Sequence, residues 1–137
     1  MSTLTVYHLD GDRFAVCVRD HLFTVDQPFA DGGDDSGPTP LELFVGSLTS
    51  CVAHHARRYL ALHCLPSAGL TVSAEYVTGS HPARVTDVRL EVLLPDGIPA
   101  EHRDRVLAVA SRCTVHNSLA TPPVVTMALA GVPVGTG

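Results

Sequence analysis

Between Thr39 and Cys64 the sequence announces a long helix whose start is written residue by residue. Thr39 suits the N-cap, Pro40 suits the first helical position, where a missing N–H costs nothing, and Glu42 completes a Thr-x-x-Glu capping box. The run LELFVGSLTSCVA that follows is apolar on nearly every face, whereas HHARRYLALHC is amphipathic. The helix is therefore expected over residues 40–64, buried along its first half and emerging along its second, with Pro66 and Gly69 ending it. A helix apolar all round needs cover on every side, and a chain of 137 residues has few elements to supply it. A tightly packed homodimer is the expected remedy.

On either side of this helix the pattern changes to period-two alternation. Residues 3–9, 13–19 and 21–26 read as three short antiparallel strands, with Asp10-Gly11 at the first turn. The Gly-, Asp- and Pro-rich stretch FADGGDDSGPTP is a loop that delivers the chain to the helix. Residues 70–78 and 84–94 form a second hairpin around Gly79, Ser80 and Pro82, and a second helix is expected over 99–113. The turn TVHNSLATPP then leads to a last strand over 123–130. The order βββ-α-ββ-α-β predicts an α+β protein, a single domain over 1–137 with antiparallel sheets around a long central helix.

Composition removes several classes of function. The formal charge is −5, and nine Lys and Arg are scattered without a basic run, so a nucleic-acid backbone is not the expected partner. The N-terminal MSTLTVYHLDGDR lacks a secretory pattern, and the apolar stretch 41–53 is shorter than the roughly 20 residues a bilayer span requires. A cytoplasmic protein with no membrane partner is expected. Four irregularly spaced cysteines, Cys17, Cys51, Cys64 and Cys113, then predict transient thiol chemistry or inert burial rather than a disulfide framework.

Two of these cysteines lie in a recognisable setting. The segment GGDDSGPTPLELFVGSLTSC, followed far downstream by RCTVHNSLATPPVV, resembles the paired signature of the OsmC/Ohr family. The matching features are the Gly-Gly loop, the Pro-x-Glu-Leu helix entry, small residues before the first Cys, and a second Cys followed by Val-His-Asn. The elements fall in the family order from about residue 3 to 130. This resemblance implies an intertwined homodimer with a pocket at its interface, where Cys51 is the peroxidatic and Cys113 the resolving cysteine. It implies an organic hydroperoxide substrate and no bound cofactor, the electrons coming from an external dithiol or a lipoyl-type thiol.

A thiol in an apolar helix needs help to ionise, because burial disfavours the charged form. Cys51 would sit about three turns inside the helix, beyond reach of its dipole. The resemblance to Ohr implies an activating Arg from the first hairpin, and Arg13 is the matching residue; a solvated hairpin charge is the other reading of it. The Ohr pattern also places a Glu ten residues before the first cysteine, where this chain has Leu41. Glu42 is one residue late, and nine steps of about 100° place it opposite Cys51, which makes it a capping residue first.

His54 and His55, one turn after Cys51, and His116, three residues after Cys113, are either proton donors for the site or residues at the solvent boundary. Cys51, His54, Cys113 and His116 could in principle hold tetrahedral Zn²⁺, yet structural zinc pairs usually lie on knuckles or loops, and no metal is expected. Two functions then compete: a thiol peroxidase working through Cys51 and Cys113, and an OsmC-like dimer that binds a small ligand and is merely redox-sensitive.

Overall fold

The computed structural model describes residues 2–131. Over them run β1 (Leu4–Asp10), β2 (Arg13–Val18), β3 (His21–Val25), a single 3-10 turn (Phe29–Asp31), α1 (Pro40–Leu62), β4 (Thr71–Gly79), β5 (Arg84–Leu93), α2 (Ala100–Ala110) and α3 (Thr114–Ala120). This is the α+β class read from the sequence. β1, β2 and β3 form an antiparallel meander, in register at Val6 with Val16 and at Val16 with Phe23. β4 and β5 form a separate antiparallel hairpin that pairs Tyr76 with Val88.

α1 begins where its cap dictates. Thr39 Oγ1 accepts the Glu42 backbone N–H at 3.1 Å, and Glu42 Oε1 accepts that of Thr39 at 2.9 Å. One stripe of the helix, Leu48, Val52, Ala56, Tyr59 and Leu60, is buried against Ile98, Val106, Ala110 and Cys113. The expected gradient of burial does not hold in the single chain. Leu41 and Phe44, in the first half, are 39% and 41% exposed, while Ala56 and Leu60, in the second, are fully enclosed. The cause is packing: α2 and β4 supply most of the cover of α1, and Leu41 and Phe44 lie outside the stripe they bury.

Three further expectations are corrected. The second helix stops at Ala110 rather than at 113, and TVHNSLA, expected as a turn, is helical as α3. Cys113 caps this helix with its own carbonyl and sulfur, which the N-cap preferences for Ser, Thr, Asp and Asn do not suggest. The final strand expected over 123–130 does not form, and Val124 and Met127 stand 93% and 95% exposed. A strand forms only by pairing with a sheet edge, and this segment pairs with neither sheet.

The loop before α1 is organised around one buried carboxylate. Asp26 accepts from the backbone N–H groups of Gln27 (2.7 Å), Asp34 (3.3 Å) and Ser36 (3.1 Å) and from the Ser36 hydroxyl (2.7 Å). The Asp26 N–H also donates to Pro38 O at 3.1 Å, closing the loop. The Ser36 hydroxyl, ahead of desolvation acting the other way and of the three N–H groups, holds the Asp26 carboxyl below its ordinary value. A depressed carboxylate stabilises the fold above the unfolded-state value of 3.8 and loses that contribution as pH falls through the lower folded value. Asp26→Asn is therefore expected to lower the melting temperature at pH 7 by roughly 5 °C and to flatten its fall below pH 4, as measured by thermal unfolding across pH.

At the far end of α1 the buried Tyr59 donates or accepts a 2.8 Å hydrogen bond between its hydroxyl and His102 Nδ1 on α2. His63 stacks on the same ring at 4.0 Å and donates Nδ1–H to the Tyr59 carbonyl at 2.9 Å. The group locks the helix end onto α2. Tyr59→Phe keeps the packing and strands one His102 nitrogen, so chemical denaturation is expected to show a loss of about 1 kcal/mol.

Candidate functional site

α1 and the α2–α3 junction bring together Cys51 and Cys113. Cys51 lies on the α1 turn between Leu48 and Val52, both buried, and packs against the cluster that contains Cys113. Cys113 is placed by the end of α2: Ala110 is enclosed, the Ser111–Arg112 turn reverses the chain, and the extended backbone of Cys113 (φ −70°, ψ 156°) points its sulfur inward while starting α3. Its side chain is fully enclosed, Cys51 is partly exposed, and both are free thiols.

The two thiols interact. Burial, the largest influence, pushes the Cys113 thiol above its ordinary value; the His116 N–H, 3.3 Å from the sulfur, pulls it down. Hydrogen bonding and repulsion from Cys51 raise it further, and the Val115 N–H lowers it. The groups that shift it most are Cys51 and two backbone N–H groups rather than a guanidinium.

Arg13, the expected activator, lies elsewhere in this chain. It follows the β1–β2 turn, with Nε 3.1 Å from Asp10 Oδ1 in an ionic contact poorly aligned for a hydrogen bond. Its sheet makes no extensive contact with α1. The structure thus joins the two cysteines and leaves Arg13 apart from them. His54 is exposed and His55 half-buried, their rings edge-to-face at 5.5 Å. His116 is exposed and ties its Nδ1 to the Ser111 carbonyl oxygen. Among the described residues no three of His, Cys, Asp and Glu gather as metal ligands, so the four-residue zinc arrangement does not assemble.

An open cleft of about 420 Å³ runs between α1, β5 and α3, lined by neighbours of the two thiols rather than by the thiols themselves. Phe44, Leu48, Val88 and Leu119 give it an apolar wall, with Asp87 and His116 at its border. Leu48 is one helical turn before Cys51, and His116 is the residue whose N–H reaches Cys113, so two of the cleft's lining residues neighbour the thiols. Leu119 carries no mark of a wall residue in the sequence, because its segment read as a turn.

The family model described as OsmC-like protein matches residues 33–128, most of the chain and both cysteines. The chain belongs to the OsmC-like family. No curated protein matches it closely enough to serve as a relative. Among solved structures, this OsmC-like chain is similar to an osmotic stress induced and detoxification response protein from Psychrobacter arcticus, with 21% identity, a TM-score of 0.79 and coverage of 86% of this chain and 88% of that one. It is similar to an organic hydroperoxide resistance protein from Elizabethkingia anophelis, with 19% identity, a TM-score of 0.67 and coverage of 89% of each chain. An OsmC-like protein of unknown function from Vibrio cholerae matches at 13% identity and a TM-score of 0.69, over 86% of this chain and 92% of that one. At these identities the likeness establishes the fold, and the family spans proteins with and without an assigned activity.

Proposed function

We propose that this protein is a thiol peroxidase that reduces organic hydroperoxides through Cys51 and Cys113. The observation that supports it is the meeting of two thiols, distant in sequence, next to residues that line an apolar-walled cleft. The Cys51 thiolate attacks the distal peroxide oxygen and breaks the O–O bond; the alkoxide takes a proton and leaves as alcohol, and Cys51 becomes a sulfenic acid. Cys113 attacks that sulfur, expels water and forms the disulfide. An external dithiol, of lipoyl or similar type, restores both thiols, and no bound cofactor is needed. The cleft wall favours alkyl or lipid peroxides over hydrogen peroxide, because hydrocarbon burial stabilises by about 25 cal/mol per Å².

The working form is a homodimer. Leu4, Val6, Tyr7, Leu22 and Phe23 of the first sheet and Phe44 of α1 are all exposed, more apolar surface than a monomer ordinarily leaves in water. A second copy would cover the bare faces of α1, offer an edge to residues 123–130, and provide the route by which an Arg13 could reach Cys51. No described helix is long and apolar enough to cross a membrane. A cytoplasmic setting, where thiols are kept reduced, suits the chemistry, as does a role in the response to oxidative stress.

The test is turnover of cumene hydroperoxide with a dithiol, followed by peptide mapping after one equivalent of peroxide. Catalytic consumption with a Cys51–Cys113 linkage supports the peroxidase. The second reading, an OsmC-like ligand-binding or redox-sensitive dimer, is favoured by the engagement of Arg13 with Asp10 and by Leu41 in the place of an orienting Glu. It predicts stoichiometric oxidation without turnover. Because burial keeps Cys113 protonated at neutral pH, disulfide formation after the first oxidation is expected to accelerate with rising pH up to and beyond the ordinary thiol value of 9.0, as followed by rapid-mixing kinetics.

A further inference from the structure

We infer that an external dithiol reopens the oxidised pair by attacking the sulfur of Cys51, with Cys113 as the leaving group, an inference that rests on the redox pairing proposed above. Thiol–disulfide exchange requires the attacking thiolate to approach one sulfur in line with the S–S bond, so access decides which end is struck. Cys113 is completely enclosed, within a cluster that includes Ala56, Val106 and Ala110. Cys51 is partly exposed on α1, one turn from the cleft residue Leu48. Within the chain, Cys51 is the end that an incoming thiol can reach, and Cys113 is closed to it.

The leaving end is equipped to receive charge. The N–H of His116 is 3.3 Å from Cys113 Sγ, and the N–H of Val115 acts on it as well. Cys51 lies mid-helix, where backbone N–H groups are already committed to carbonyls one turn earlier. Burial opposes a thiolate at Cys113, but one opposing influence disappears during the step. In the mixed disulfide Cys51 carries neither proton nor charge, so its repulsion of Cys113 is gone.

The electrons balance. The first thiolate of the dithiol forms a bond to Cys51 Sγ, and the S–S pair passes to Cys113 Sγ, which takes up a proton. The second thiol, as thiolate, then closes on the first sulfur and expels the Cys51 thiolate, leaving the protein reduced by two electrons and the dithiol as its disulfide.

A Cys17→Ser, Cys64→Ser background limits the experiment to the two thiols of interest. The protein is oxidised with diamide, which makes the disulfide without peroxide, mixed with glutathione as a monothiol probe, and quenched within milliseconds by acid and N-ethylmaleimide. Peptide mapping is expected to find glutathione on Cys51 and maleimide on Cys113, by about tenfold or more over the reverse. Glutathione mainly on Cys113, or equal adducts, overturns the inference. If diamide fails to join Cys51 to Cys113, the redox pairing and this inference fall together; if diamide joins them but peroxide does not turn over, the peroxidase reading fails and the direction of exchange is still read out.

Discussion

Cys51→Ser is expected to abolish the proposed dithiol-dependent peroxide consumption, a loss of about a thousandfold or more, while Cys113→Ser is expected to retain a single oxidation event per chain. The difference follows from the two positions. A serine hydroxyl at Cys51 does not ionise near neutral pH and is a poor nucleophile toward O–O bonds, so no partial activity is left for the remaining residues to support. Without Cys113 the first step survives, but the sulfenic acid has no enclosed thiol beside it. It then advances to sulfinic acid under excess peroxide. Steady-state rates with cumene hydroperoxide, together with intact mass after one and ten equivalents, check both. Equal activity in Cys51→Ser and wild type would remove Cys51 from the chemistry.

Gly37→Ala is expected to produce the largest stability loss, about 3 kcal/mol or more, or failure to fold. A Cβ at this position would stand 2.9 Å from the Thr24 carbonyl carbon and closer still to its oxygen, and 3.5 Å from Val25 Cα. These are backbone atoms at the end of β3, which cannot swing aside as a side-chain tip would. Gly33→Ala meets the same obstacle, 2.6 Å from the Gln27 carbonyl carbon and 2.8 Å from Asp26 Oδ1. Gly46→Ala, in α1, meets nothing and is the control. Urea unfolding of the three variants is the measurement; near-equal midpoints for Gly37→Ala and Gly46→Ala would contradict the close approach of this loop to β3.

How much could be read in advance depends on where the information lies. The start of α1 was legible because Thr39 and Glu42 satisfy each other's backbone groups within four residues. The hairpin turn at Asp10-Gly11 was legible because Gly11 adopts a φ of +49°. Cys51 and Cys113 were picked out by resemblance, and their adjacency comes from the packing of α1 against α2. Asp26 went unremarked, since its partners Asp34 and Ser36 are placed by the folded loop. α3 was missed because its N-cap is a cysteine, and the strand expected over 123–130 pairs with neither sheet.

The sequence by itself determined the strands of the two sheets, the capped central helix and the α+β class, because each of these rests on short-range patterns of polarity and capping; the two candidate thiols were marked by resemblance to a family signature. Only the tertiary structure decided which thiol is enclosed, which N–H groups face it, and that Arg13 is engaged with Asp10 rather than with Cys51. Those features depend on which surfaces meet, and a meeting of surfaces is fixed by packing over the whole chain rather than by any local run of residues.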